Sequence, residues 1–154
     1  MATVHKMKAD FYEATFPLIA LRSNLEDHAM AFYINQYLKA RFIRPRADWE
    51  LSKDIRFPYF EWKDEVNDGY WILWSNDSFG LAEVGGATDL FQDQPSYTKY
   101  HLVPEHKEVD YFLKLEDDHI DEHKVLRTLM DIPGVQTAYL INTEKLKSIN
   151  NLIH

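Results

Sequence analysis

Ile55-Arg-Phe-Pro-Tyr-Phe-Glu-Trp-Lys63 and Tyr70-Trp-Ile-Leu-Trp-Ser75, joined by Asp64-Glu-Val-Asn-Asp-Gly69, decide the fold of this chain. Both runs are rich in the aromatic and branched residues that suit a pleated surface, and the connection is polar and ends on glycine. The pattern predicts a β-hairpin over residues 55–75. Alternation puts one set of side chains into a core and leaves the other set, Phe60 and Trp62 with Trp71 and Leu73, on a face that needs cover. Phe60, Trp62 and Trp71 are therefore candidate interface residues. Of the two readings for the 22 aromatics of the chain, core or homodimer interface outweighs a stacking platform for bases.

Upstream of the hairpin, residues 11–21 read as a first strand, with Pro17 hinting at an edge or a bulge. Ser23-Asn-Leu-Glu26 has the form of a capping box. Met30, Tyr33, Ile34, Tyr37 and Leu38 then recur at helical spacing, and the helix is expected to end near Ala40. Phe42-Ile43 is a short strand stopped by Pro45. Downstream, residues 76–95 contain Gly80, Gly85 and Gly86 and read as a long loop matching neither a phosphate-binding nor a dinucleotide fingerprint. Residues 97–102 and 110–115 are two further strands. Asp118 caps a second helix along Val125, Leu126, Leu129 and Met130, which Pro133-Gly134 terminates. Residues 135–141 close the sheet, and residues 142–145 begin a terminal helical turn. The order β-α-β-β-β-β-β-α-β, with connections that favour hairpins, predicts one α+β domain over residues 1–154, with a mostly antiparallel sheet and two main helices on one face.

A chain of 154 residues can bury roughly 70% of the surface its unfolded form exposes. It contains no cysteine, which excludes disulfides, thiolate metal sites and thiol nucleophiles. The first twenty residues lack the apolar core of a secretory signal, and no run approaches the ~20 apolar residues of a membrane span, so a cytoplasmic location and no membrane partner are expected. The net charge of -8 is uneven. Residues 105–122 hold eight acids (Glu105, Glu108, Asp110, Glu116, Asp117, Asp118, Asp121, Glu122) against Lys107 and Lys114, whereas residues 39–46 hold Lys39, Arg41, Arg44 and Arg46 with no acid. Such a balance disfavours nucleic acid. Arg41, Arg44 and Arg46 remain candidates for binding a small anion.

Val103-Pro-Glu-His-Lys-Glu-Val-Asp-Tyr111 stands where the chain enters a strand. Glu105 and Asp110 can supply a carboxylate pair for acid–base work, with His101, His106 and Glu108 nearby. The alternative is structural: Pro104 suits a first turn, Glu105 accepts main-chain donors within that turn, and Asp110 accepts amides at the strand entrance. With no nucleophile or oxyanion loop in view, the structural reading leads and no catalytic residue is assigned. His119 and His123 lie four apart, but their string lacks the order of a zinc-binding helix, and acids in a first helical turn follow from the dipole alone, so neither metal nor cofactor is expected.

The same nine residues resemble the signature of the IPExxxVDY family of uncharacterised bacterial proteins, with valine for the first isoleucine. The resemblance marks Pro104, Glu105, Glu108, Asp110 and Tyr111 as its signature corner and implies no activity; residues 76–96 are longer than is usual there. At the level of fold, a strand and helix followed by Asp131-Ile-Pro-Gly-Val135 are similar to the second half of ACT-type regulatory domains. Together these readings lead to a non-catalytic protein-interaction module that binds a protein partner or itself as a homodimer. An ACT-like domain recognising an anionic ligand and an acid–base enzyme using Glu105 and Asp110 are the alternatives.

Overall fold

The computed structural model describes residues 16–81 and 97–153, so residues 11–15 of the expected first strand and the Gly85-Gly86 part of the long loop lie outside the described residues. In chain order the elements are β1 (Leu18–Ser23), α1 (Asp27–Leu38), β2 (Trp49–Ser52), β3 (Ile55–Phe57), β4 (Tyr59–Asp64), β5 (Gly69–Ser75), β6 (Asp77–Leu81), β7 (Tyr97–His101), β8 (Tyr111–Glu116), α2 (Glu122–Met130) and β9 (Val135–Leu140). Short 3-10 turns cover Pro104–His106, Thr143–Lys145 and Ile149–Leu152. The fold is α+β, with an antiparallel five-stranded sheet in the order β4-β5-β8-β1-β9.

The aromatic hairpin forms as predicted between β4 and β5, with Trp62 opposite Trp71. Its upstream arm is shorter than expected because Pro58, which has no N–H to give a ladder, splits residues 55–63. The three residues before it become β3 and turn back onto β2. Residues 42–43 contribute one bridge, Ile43 and Glu61 exchanging both main-chain bonds at 2.9 Å. Residues 77–81, expected within a loop, form β6 and pair with β7. Nor is β1 an edge: it lies between β8 and β9, and Pro17 stands just before it, its carbonyl accepting the Leu115 N–H at 3.0 Å.

Alternation along β1 feeds two cores. Ile19 and Leu21 join Leu73, Leu113 and Leu115 beneath both helices, which contribute Met30, Ala31, Ile34, Val125 and Leu129. Leu18 and Ala20 join Ile72, Trp74 and Phe112 on the opposite face, under Trp49 and Phe57 from the β2–β3 hairpin, Leu102, Val103 and Val109 from the corner before β8, and Leu146 and Leu152 from the C-terminal turns. The face opposite the helices is covered from within the chain, while the set expected to need cover, Phe60, Trp62, Trp71 and Leu73, lies on the helix side. Each fully buried Leu, Ile or Phe stabilises by about 1.5–3 kcal/mol relative to exposure, so sealing the second face is a large part of what holds the sheet together.

The helix starts differ from expectation. Glu26 is the N-cap of α1 and makes no side-chain capping bond, while Ser23 Oγ accepts the Leu25 N–H at 3.1 Å and donates to the Gly134 carbonyl at 2.7 Å. The serine thus ties the start of α1 to the end of α2 in place of closing a capping box. α1 stops when Lys39 takes a left-handed conformation (φ 57°), and Asn35 then clasps Phe42, accepting its N–H at 2.7 Å and donating to its carbonyl at 3.2 Å. α2 is capped by Asp121, not Asp118, through bonds of 3.2 Å from the His123 and Lys124 N–H groups. Gly134 has φ +95°, a conformation that favours glycine, and it turns the chain into β9 against Leu25.

Candidate functional site

The corner between β7 and β8 is built around a residue that no sequence pattern singled out, Asn76, which is 0% exposed. Its Nδ2 donates to the carbonyls of His106 and Val109, both at 2.9 Å, and its Oδ1 accepts the Val103 N–H at 2.9 Å. Its own main chain donates to the Asp110 carbonyl at 2.9 Å and accepts the Leu102 N–H at 2.8 Å. One side chain therefore satisfies the polar groups that Pro104 and the 3-10 turn remove from any ladder, and Leu102, Val103 and Val109 can face the core at no cost in unpaired main chain. In sequence, an asparagine after a strand signals only a turn.

The signature residues attach this corner to distant elements. Asp110 Oδ2 accepts the Ser23 N–H at 2.8 Å, at the end of β1. The Tyr111 hydroxyl donates to the Leu25 carbonyl at 2.5 Å; burial pushes this hydroxyl's pKa up, and the carboxylates of Asp27 and Asp110 push it further. Glu105 meets its own main-chain N–H within the turn, as expected, and also reaches out of it. Its Oε2 accepts the N–H groups of Lys147 and Ser148 at 2.7 and 3.0 Å, and its Oε1 accepts the Ser148 hydroxyl at 2.6 Å. Burial raises the Glu105 pKa, but the Ser148 hydroxyl and the main-chain donors outweigh it and hold the carboxyl below its ordinary value. Glu108 is also held low, first by its own main-chain N–H against the effect of burial, then by His106 at 3.3 Å.

Further bonds complete the seating of the C-terminal turns. Asn151 Nδ2 donates to the Leu102 carbonyl at 2.9 Å, Trp49 Nε1 donates to the Asn151 carbonyl at 2.8 Å, and Lys114 Nζ donates to the Leu152 carbonyl at 3.2 Å. Lys114 is only 5% exposed, and it also meets Glu116 at 2.7 Å and lies over the Phe16 ring at 4.4 Å. None of Asn151, Ser148 and Lys114 carries a local sequence signal, because each acts on a partner more than thirty residues away.

The other candidates are dispersed. Arg44 is paired with Asp27 and Asp48, both at 2.9 Å, which neutralise it as an anion receptor, while Arg41 and Arg46 lie exposed to either side. Phe60 and Trp71 are 7% and 3% exposed and pack in the helix-side core, where the Trp71 ring meets Phe42 and Trp62. They offer no surface to a partner, because the segment through Phe42 and Ile43 lies against them; Trp62 is half-buried. His119 precedes α2, so the spacing to His123 does not place two imidazoles on one helical face. Among the described residues no group of three or more His, Asp or Glu side chains is placed to hold a metal ion. Asp77 and His101 face each other across β6 and β7 with Oδ1 and Nδ1 2.9 Å apart, off the line of a hydrogen bond, and Lys99 approaches Asp77 at 3.4 Å. Asp77 also borders an open cleft of about 580 Å3 whose other walls carry charges of both signs, among them Asp48, Lys53, Asp54 and Arg56.

None of the family models, curated proteins or solved structures compared with this chain matches it.

Proposed function

We propose that this chain is a non-catalytic protein-interaction module. The observation that carries the reading is the structural use of the two signature carboxylates: Asp110 Oδ2 holds the Ser23 amide, and both oxygens of Glu105 are taken by two amides and a hydroxyl, so the pair serves to fix the chain and Glu105 is not poised for proton transfer to a substrate. The corner that resembles the IPExxxVDY signature acts on this reading as a joint between the sheet, the start of α1 and the C-terminal turns. A small-anion site at Arg41, Arg44 and Arg46 has less support, because Arg44 already serves two carboxylates. The partner is another protein chain, or a second copy of this one.

The test combines affinity capture from the native cell with a turnover screen of the purified protein against pooled small molecules. A stoichiometric protein partner, or self-association, with no turnover supports the module. Turnover that Glu105→Gln or Asp110→Asn abolishes at unchanged melting temperature refutes it and makes those carboxylates catalytic.

A further inference from the structure

The C-terminal segment, residues 142–153, is attached to the body of the protein largely through its main chain. Glu105 receives the Lys147 and Ser148 N–H groups together with the Ser148 hydroxyl, while Trp49 Nε1 and Lys114 Nζ take the carbonyls of Asn151 and Leu152. Its fully anchored apolar side chains are Leu146 and Leu152, 7% and 0% exposed, in the core with Leu18, Leu102 and Phe112. Fixed main-chain partners flanked by spaced apolar pockets are how proteins read a peptide: the main chain supplies affinity and the pockets supply specificity. The seat of this segment has both parts, and its groups belong to four different strands and corners of the fold.

The geometry points to an autoinhibited peptide groove. In cis the groove holds the chain's own C-terminal segment; in trans it takes a segment of a partner protein with the same pattern, an aliphatic residue, a serine two positions on and a second aliphatic residue four beyond that. This rests on the interaction-module reading and names its surface and its kind of partner. Three features argue for such an occupant. The cis segment demonstrates the fit atom by atom. It carries Lys145 and Lys147 against Glu144, and Glu105 lies in its seat, so a basic segment is electrostatically favoured over an acidic one. An open cleft of about 450 Å3 adjoins the segment at Asn150, Asn151 and Ile153, walled by Trp49, Leu51 and Tyr59, and gives an incoming chain a foothold before the cis segment leaves. Because a tethered segment competes at an effective concentration of about millimolar, the trans partner binds measurably once the cis contact is loosened.

The experiment uses the full chain carrying Ser148→Pro, which removes the N–H and the hydroxyl that face Glu105 and leaves Leu152 in place. Hydrogen exchange over residues 146–153 reports release of the segment, and a fluorescent peptide with the sequence of residues 145–154 is the probe. The expected result is faster exchange in the variant, peptide binding about ten-fold tighter than to the unmodified chain, and loss of about ten-fold when Glu105→Gln is added. Should Ser148→Pro fail to melt cooperatively, Asn151→Ala, which removes the bond to Leu102, takes its place. A released segment with no peptide binding overturns the groove, as does binding indifferent to Glu105→Gln. Exchange unchanged from the parent overturns it too, since the segment is then not held as inferred. Any of these leaves the interaction module standing on another surface, because only turnover lost in the carboxylate variants removes that reading.

Discussion

Asn76→Ala removes three side-chain hydrogen bonds from a site with no solvent exposure, and leaves the Val103 N–H and the carbonyls of His106 and Val109 with one partner fewer each. Each such bond contributes about 1 kcal/mol net, and a buried group left unpaired costs about 1–3 kcal/mol, so the loss should be about 3–5 kcal/mol. A domain with a total stability of about 5–15 kcal/mol survives that, but with a large fraction gone. Urea unfolding followed by tryptophan fluorescence suits the measurement, because Trp74 is fully buried in the core that this corner seals. With a slope of about 2 kcal/mol per molar, the midpoint should fall by about 2 M. Asn76→Asp sharpens the test: it keeps the shape but turns an oxygen toward two carbonyls, so at pH 7 it should cost at least as much as alanine. Part of that cost should return when acid protonates the new carboxyl. An alanine variant within about 1 kcal/mol of the parent, or an aspartate variant better than alanine, would refute the role assigned to Asn76.

Asp110→Ala should cost about 1–3 kcal/mol in the same assay, by stranding the N–H of the buried Ser23. For Glu105 the sign follows from a folded-state pKa below the ordinary value: its stabilisation is present above the unfolded value of about 4.3 and is lost as the pH falls through the folded one. Stability of the parent minus that of Glu105→Gln should therefore be constant above about pH 5 and shrink below pH 4, and a difference that grows with acid contradicts the assignment. Gly134→Ala would place a Cβ 2.9 Å from Leu25 Cγ in a backbone with φ +95°; the conformational and crowding terms together predict a loss of about 2–4 kcal/mol, read as a lower melting temperature.

The elements with a strong local period were legible in the sequence. The aromatic hairpin, the two helices and the closing strand all appear, because burial of an alternating or helical apolar face is decided within a dozen residues. Where a boundary depended on a single residue, pattern reading ran past it: Pro58 splits one expected strand into two, Asp121 caps α2 in place of Asp118, and residues 77–81 pair with β7 although they look like loop. The signature corner shows the division most clearly. From sequence alone, Pro104, Glu105 and Asp110 announce a specified turn whose carboxylates accept main-chain amides. That Glu105 finds its amides at Lys147 and Ser148, Asp110 at Ser23, and that Asn76 closes the turn from inside, was decided only by tertiary structure. Hydrogen-bonding capacity is a property of the residue, but its satisfaction belongs to whichever distant donor the packed sheet brings within 3 Å, and no local pattern encodes that meeting.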